Sequence, residues 1–359
     1  MTRLNKLHEI MIANNVDLVA LGPGAHMQWL LGFHPHADER PCLICVSKTS
    51  AAFLMPALNA DGTRTNTDLP FYKWSDASGP EQAFGELLGE LEIPDNCRVV
   101  LDETMRADFA ALVQDARPNA KRNFTATTVG ALRMRKDDTE FQTLKENARI
   151  ADQAMKAGWA EMHAGMSELD VAGVIRSKFS DLGAKPLFSI VGAGGNGAFP
   201  HHQTGDSVLR DGDAVVMDIG GGQNGYSSDI TRMAVIGRPP EGYEAVHAVV
   251  EAAVQAAMRA ARPGVQAKVV DAAARDVIAD AGYGEYFVHR TGHGMGVEVH
   301  EQPYLTSVSE TVLETGMVFS IEPGIYLPGR FGIRLEDIII LREEGPESFS
   351  DLPRGLTII

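Results

Sequence analysis

The chain has 359 residues, 44% of them hydrophobic and 22% charged, with a formal net charge of −16 and three cysteines. That length exceeds one ordinary core and implies two domains, and the acidic balance leaves no basic stripe for a nucleic acid or an anionic membrane. No apolar run approaches the ~20 residues that cross a bilayer, and "MTRLNKLHEIMIANN" lacks a signal-peptide core, so a cytoplasmic protein is expected.

In chain order, "LNKLHEIMIANN" reads as a helix, "VDLVALG" as a strand and "PCLICVSKTSAAFLMP" as a strand pair. Cys42 and Cys45 form a C-x-x-C inside that apolar run, where their side chains point to opposite faces. A redox motif needs a helix start after the first cysteine, so these read as buried small hydrophobes in a reducing compartment. The helix "GPEQAFGELLGEL", the strand "RVVLD" and the helix "MRADFAALVQDA" follow. This alternation predicts an α/β domain over residues 1–130. A boundary near "VGALRMRKDDTE" opens a second domain, 131–359, in which Asp137 or Asp138 caps a long helix running to about His163.

The second domain holds a repeat. "AGMSELDVAGVIRSKFSDLG" and "PGVQAKVVDAAARDVIADAG" each place a helix between two glycines, Gly165 and Gly183 in one copy and Gly264 and Gly282 in the other. The copies are offset by 99 residues, and each precedes a hairpin that carries carboxylates.

The first hairpin is "VVMDIGGGQNGYSSDITR", with Asp218 and Asp229 in strands that otherwise read as buried. Opposing the two aspartates centres the turn between Gln223 and Asn224 and sets the carboxylates on one face. Glu322 and Glu336 bracket a second bend centred on Gly329, and "HRTGHGMGVEVHE" between the hairpins presents His293. Bare carboxylates so placed repel, and one must take a proton unless a cation intervenes. Four carboxylates carry −4, which two divalent cations neutralise, and oxygen-rich ligation with one histidine suits manganese, cobalt, iron or zinc. Such a metal pair can activate water for attack on a carbonyl.

"GAGGNG" at 192–197 satisfies G-x-G-x-x-G after the strand-like "LFSIV". The "AFPHHQTGD" that follows cannot supply the helix a dinucleotide site requires. It reads as a glycine loop delivering His201.

The five acidic and imidazole residues, each in its own motif, resemble the pita-bread-fold peptidases (family M24): methionine aminopeptidases, Xaa-Pro aminopeptidases and Xaa-Pro dipeptidases, or prolidases. The resemblance covers 131–359 and extends weakly to 1–130 through "MQWLLGF". It implies a creatinase/prolidase-like N-terminal α/β domain. It further implies an α+β pita-bread (creatinase/aminopeptidase) catalytic domain with an internal pseudo-twofold repeat. Carried over residue by residue, Asp218 chelates one metal, Asp229 and Glu336 bridge both, and His293 and Glu322 complete the ligand set of the other metal. His201 and His300 contact substrate and transition state, and Arg334 holds carboxylates in place. Tyr226 is a candidate hydroxyl for the substrate site. His202 competes with His201 for its role, and His289 reads as a supporting residue.

The resemblance implies hydrolysis of the Xaa-Pro bond in dipeptides or short peptides with proline second, by two divalent ions, manganese first and cobalt, zinc or iron as alternatives. An N-terminal domain favours the proline-directed branch over methionine aminopeptidases. It also implies a homodimer, in which "GFHPHADERP" (His34, His36, Asp38, Glu39) is the segment that can reach a partner's site. Some prolidases carry a basic residue just after HExP to meet the terminal carboxylate; here that position is Tyr304, which is a candidate substrate contact but weakens a strict dipeptide preference. Same-fold hydrolases or lyases of small osmolytes keep a similar cluster and are the alternative. A metal-free creatinase-like hydrolase fits the intact ligand set less well.

Overall fold

The computed structural model describes residues 2–359 and divides into two compact units, Met1–Arg133 and Met134–Ile359. The first contains α1 (Arg3–Ala13), β1 (Leu18–Leu21), α2 (Ala25–Leu31), β2 (Leu43–Val46), β3 (Ala51–Pro56) and α3 (Ala57–Arg64). It continues with β4 (Phe71–Trp74), α4 (Glu81–Glu90), β5 (Arg98–Leu101), α5 (Ala107–Ala116) and β6 (Lys121–Phe124), and α6 (Val129–Met134) closes it. The strands form one mixed sheet in the order β4-β3-β2-β1-β5-β6. The central strands β1, β2 and β3 are buried on both faces, which is why they read as unbroken apolar runs. β6, "KRNF", is exposed throughout at the sheet's edge; its charge suits an edge and hides it from hydropathy patterning. Cys42 and Cys45 are buried free thiols, and burial pushes the Cys42 thiol up to about 12.

The second unit begins with α7 (Asp138–Glu161), whose N-cap Asp137 forms a capping box with Glu140. α8 (Glu168–Asp181) starts from a second such box, Ser167 with Asp170. β7 (Lys185–Ala193), β8 (Ala214–Gln223), β9 (Tyr226–Ser227) and β10 (Ile230–Val235) follow. Then come α9 (Tyr243–Ala260), α10 (Ala267–Asp280), β11 (Gly292–Gly294) and β12 (Glu301–Leu305). β13 (Val318–Ile321), β14 (Gly324–Leu327), β15 (Phe331–Arg334), β16 (Asp337–Arg342), β17 (Gly345–Ser348) and β18 (Thr357–Ile358) complete the chain. Two five-stranded sheets result, β18-β10-β8-β7 with β9 on β8, and β12-β11-β13-β16-β17; β14 and β15 pair separately.

The repeat is visible in the fold: α8 and α10 are offset by 99 residues, and the glycines bounding them all take positive φ. Each copy buries its helices against its own sheet. Ile150, Met155, Ile175 and Phe179 of α7 and α8 pack with Val215, Met217 and Ile230. Val246, Val250, Val270 and Ile278 of α9 and α10 pack with Phe319, Ile321 and Ile339.

Hairpin register differs from the expectation in the first copy. Asn224 and Gly225, both at positive φ, form the two-residue turn, because such a turn demands left-handed residues at both positions. The ladder therefore slides by two, and Asp218 faces Thr231 instead of Asp229. A slip of two preserves the face, since side chains alternate with period two, and Asp229 becomes the diagonal neighbour. The ladder also breaks before it: Ser228 turns its N–H and hydroxyl onto Gly221. In the second copy β14–β15 and β13–β16 share one register centred on Gly329, and Glu322 and Glu336 sit between the two ladders.

"GAGGNG" itself runs into a 3₁₀ turn, Gly194–Ala198, and no α-helix follows it before β8. Among the described residues no helix is long and apolar enough to cross a membrane.

Candidate metal centre and active site

A cavity of about 610 Å³ in the second unit is lined by His201, Asp218, Asp229, His289, Arg290, His293, His300, Glu322, Arg334 and Glu336, with Phe188, Ile190, Pro200 and Val299 as its apolar wall. All five expected ligands and both expected histidines therefore converge. Ligand atoms of Asp218, Asp229 and Glu336 lie within 4.8 Å of one another, and so do those of His293, Glu322 and Glu336. Glu336 is common to both groups. Asp229 links them too, its Oδ2 lying 3.7 Å from His293 Nε2.

The surrounding backbone explains why these side chains meet. Gly292 and Gly294 flank His293 where β11 runs between its neighbours: a Cβ at Gly292 would lie 1.9 Å from Ser320 O, and one at Gly294 2.1 Å from Gln302 O. Only glycine allows that approach. Ser320 Oγ accepts from His293 N and donates to Glu322 Oε1, both at 2.9 Å. His293 Nδ1–H donates to Gly294 O at 3.0 Å, which leaves the Nε2 lone pair facing Glu322, 3.2 Å away. That tautomer is the one a metal needs.

Arg334 secures the opposite side. Its Nη2 donates to Asp218 Oδ2 (2.6 Å), Nη1 to Tyr326 Oη (2.8 Å) and Pro200 O (3.2 Å), and Nε to Thr231 Oγ1 (3.1 Å). Thr231 in turn donates to Glu336 Oε2 at 2.8 Å. Tyr326 donates on to His289 Nε2 at 2.8 Å, since the other ring nitrogen of His289 donates to Arg290 O.

Electrostatics follow from this packing. Burial first, and then the neighbouring carboxylates, raise Asp229 and Glu336 well above the ordinary range. Burial also raises Asp218, although Arg334 opposes it. Burial acts the same way on Glu322, but when His293 also carries a proton on Nε2 its hydrogen bond and charge outweigh burial and bring Glu322 to about 2. His300 is held down to about 4 by burial and by the charges of His293 and Arg290.

One observation tests whether divalent cations fit. Asp218 Oδ1, Asp229 Oδ1 and Glu336 Oε1 are buried and have no hydrogen-bond partner. Buried acceptors are rarely left unpaired, and three carboxylate oxygens converging beside a free imidazole lone pair suit hard or borderline divalent ions. The donor set fits.

The neighbouring histidines separate cleanly. His202 Nε2 pairs with Glu168 Oε2 at 2.7 Å. Glu168 is fully buried and also accepts from Ala193 N, Asn196 Nδ2 and Gly205 N. This acid organises the 192–205 loop, so His202 anchors it while His201 lines the cavity. Tyr226 corrects the expectation: its hydroxyl donates to Glu140 of α7 at 2.9 Å, and it does not line the cavity, because it lies three residues before Asp229 and so on the opposite face of the hairpin. Tyr304 is not a lining residue either. It faces His293 across the β11–β12 ladder and carries Arg290 over its ring at 4.5 Å. Thr231, Ser320, Tyr326 and Arg290 were missed. A hydroxyl opposite an acid in a strand is the only local signal any of them offered.

A family model described as Metallopeptidase family M24 matches residues 142–343, and another, Creatinase/Prolidase N-terminal domain, matches 3–135. The chain is 32% identical to an Xaa-Pro dipeptidase of Pyrococcus furiosus, over 99% of both chains. It is 36% identical to a probable dipeptidase PepE of Mycobacterium tuberculosis, over 95% of this chain and 92% of the relative. Among solved structures, dipeptidase PepE of Mycobacterium ulcerans superposes with a TM-score of 0.94 at 34% identity, covering 99% of this chain and 97% of that one.

Proposed function

The chain belongs to metallopeptidase family M24, and from that premise we propose that it hydrolyses the Xaa-Pro bond of dipeptides or short peptides with two divalent ions. As a member it is a metal-dependent peptide hydrolase; the bond, the number of ions and manganese as their identity are the reading developed here. The observation that carries it is the set of three unpartnered buried carboxylate oxygens in two overlapping ligand groups that share Glu336.

Asp218, Asp229 and Glu336 would hold one ion, and His293, Glu322 and Glu336 the other. When bound, such ions polarise a carbonyl and bring water within reach of deprotonation at neutral pH. The chain's own groups do the rest. Arg334 and Thr231 fix Asp218 and Glu336 through hydrogen bonds that leave the unpaired oxygens directed at the site. His300 is neutral at pH 7, so it carries one N–H able to donate to the scissile carbonyl oxygen or to the departing proline nitrogen. His201 lines the same cavity on a loop braced by Glu168. Phe188, Ile190 and Val299 give the apolar surface against which a proline ring packs.

The test is turnover by protein reconstituted in turn with manganese, cobalt, zinc and iron, on Xaa-Pro dipeptides, Xaa-Pro tripeptides and non-proline dipeptides. Cleavage of proline-second substrates, highest with manganese at two ions per chain, is expected. Fully loaded protein that leaves every peptide intact would move the reading to a small osmolyte.

A further inference from the structure

Two arginines, Arg290 and Arg334, are among the residues that line the cavity. Arg334 is committed to four partners, Asp218 among them. Arg290 is different: among the described residues its guanidinium makes no hydrogen bond or ion pair, and its one recorded contact is the Tyr304 ring, 4.5 Å away. Stacking on an aromatic face holds a cation in place without neutralising it. The lining residues thus include one cation without an ion-pair partner, close enough to His300 for its charge to act there.

The segment bearing it is braced. Asp271, fully buried, accepts from Thr291 N (3.0 Å) and Thr291 Oγ1 (2.8 Å). Arg275, paired with Asp271, donates to Phe287 O and His289 O. Arg290 lies three residues before His293, and both residues line the cavity. A dipeptide's terminal carboxylate lies one residue repeat, roughly 3.8 Å, past the scissile carbonyl.

We propose that Arg290, held by Tyr304, receives the terminal carboxylate of the substrate and so makes the enzyme prefer dipeptides, an inference that rests on the peptidase reading above. A longer peptide or a C-terminal amide offers a neutral group there and leaves the cation unpaired. Tyr304 acts through Arg290, without touching substrate. This supplies the dipeptide preference that an aromatic residue after "HEQP" had weakened.

The experiment compares each Xaa-Pro dipeptide with its C-terminal amide. Wild type is expected to favour the free acid about tenfold or more in kcat/KM, mainly through KM, the size of one charged hydrogen bond. Arg290→Ala brings the ratio close to one, Arg290→Lys retains part of it, and Tyr304→Ala lowers it. A ratio that survives Arg290→Ala overturns the proposal. Calorimetric binding of L-proline and L-prolinamide gives a readout independent of turnover. A preference for proline that disappears in Arg290→Ala supports the assignment, and a preference absent from wild type or intact in the variant overturns it. If no peptide is cleaved while that arginine-dependent preference is present, the peptidase reading fails and Arg290 remains a receptor for another small carboxylate.

Discussion

Replacing Glu336 with glutamine removes one charge from the acidic cluster at nearly constant volume. Its ligand oxygens lie within 4.8 Å of those of Asp218 and Asp229, where two unit charges at an effective dielectric of ~20 repel by about 3.5 kcal/mol. Burial and these neighbours raise the folded pKa of Glu336. Protonation therefore favours the folded state, and the stability it contributes is full below the ordinary glutamate pKa and lost as pH climbs through the raised one. Glutamine stays neutral throughout, so at pH 8 the metal-free variant is expected to melt above metal-free wild type. Metal reverses the order. An ion at a hundredfold over its Kd contributes about 2.7 kcal/mol. For a unit the size of Met134–Ile359 that is roughly 5–11 °C, at ~2–4 °C per kcal/mol. The variant, deprived of the carboxylate common to both ligand groups, gains much less. Scanning calorimetry of both proteins with EDTA and with manganese decides it. The same ranking in both conditions would refute the reasoning.

Other expectations are local. Lys136 pairs with Glu301 at 2.6 Å, both nearly inaccessible, so Lys136→Ala leaves a buried acid and costs about 3–5 kcal/mol in urea unfolding; a loss under 1 kcal/mol would argue against it. His201→Ala lowers kcat with little change in melting temperature. His202→Ala strands part of Glu168 and destabilises by about 1–3 kcal/mol, so equal melting temperatures for the two variants would contradict their separation. In the first unit burial acts to raise Glu103, but hydrogen bonds from His26 and Thr125 outweigh it and bring the group to about 2. That contribution is present above about pH 4.5 and is lost as pH falls toward 2, and Thr125→Val should flatten that acid limb of the stability curve.

The site was legible because its chemistry is local to motifs: each acid interrupts an apolar strand, and the glycines flanking His293 announce a close backbone approach. The hairpin register was half legible. Gly329 fixed the second turn, whereas in "GGGQNG" several glycines compete and only the paired left-handed demand of Asn224-Gly225 selects the turn. Tyr226 was misplaced for another reason: three residues before Asp229, it alternates onto the opposite face and meets Glu140 of α7. Arg290 and Tyr304 lie fourteen positions apart in the sequence, and only the β11–β12 ladder brings them together. In the first unit α3 and β6 escaped notice because they are short and polar, and β4, "FYKW", because four residues are too few to show a period.

The central claim is that five side chains hold two divalent ions. Anomalous diffraction from crystals grown with manganese tests it directly. The account predicts two peaks ~3.5–4 Å apart, one among Asp218, Asp229 and Glu336 and one among His293, Glu322 and Glu336; an empty pocket, or a single ion at full manganese saturation, would contradict it.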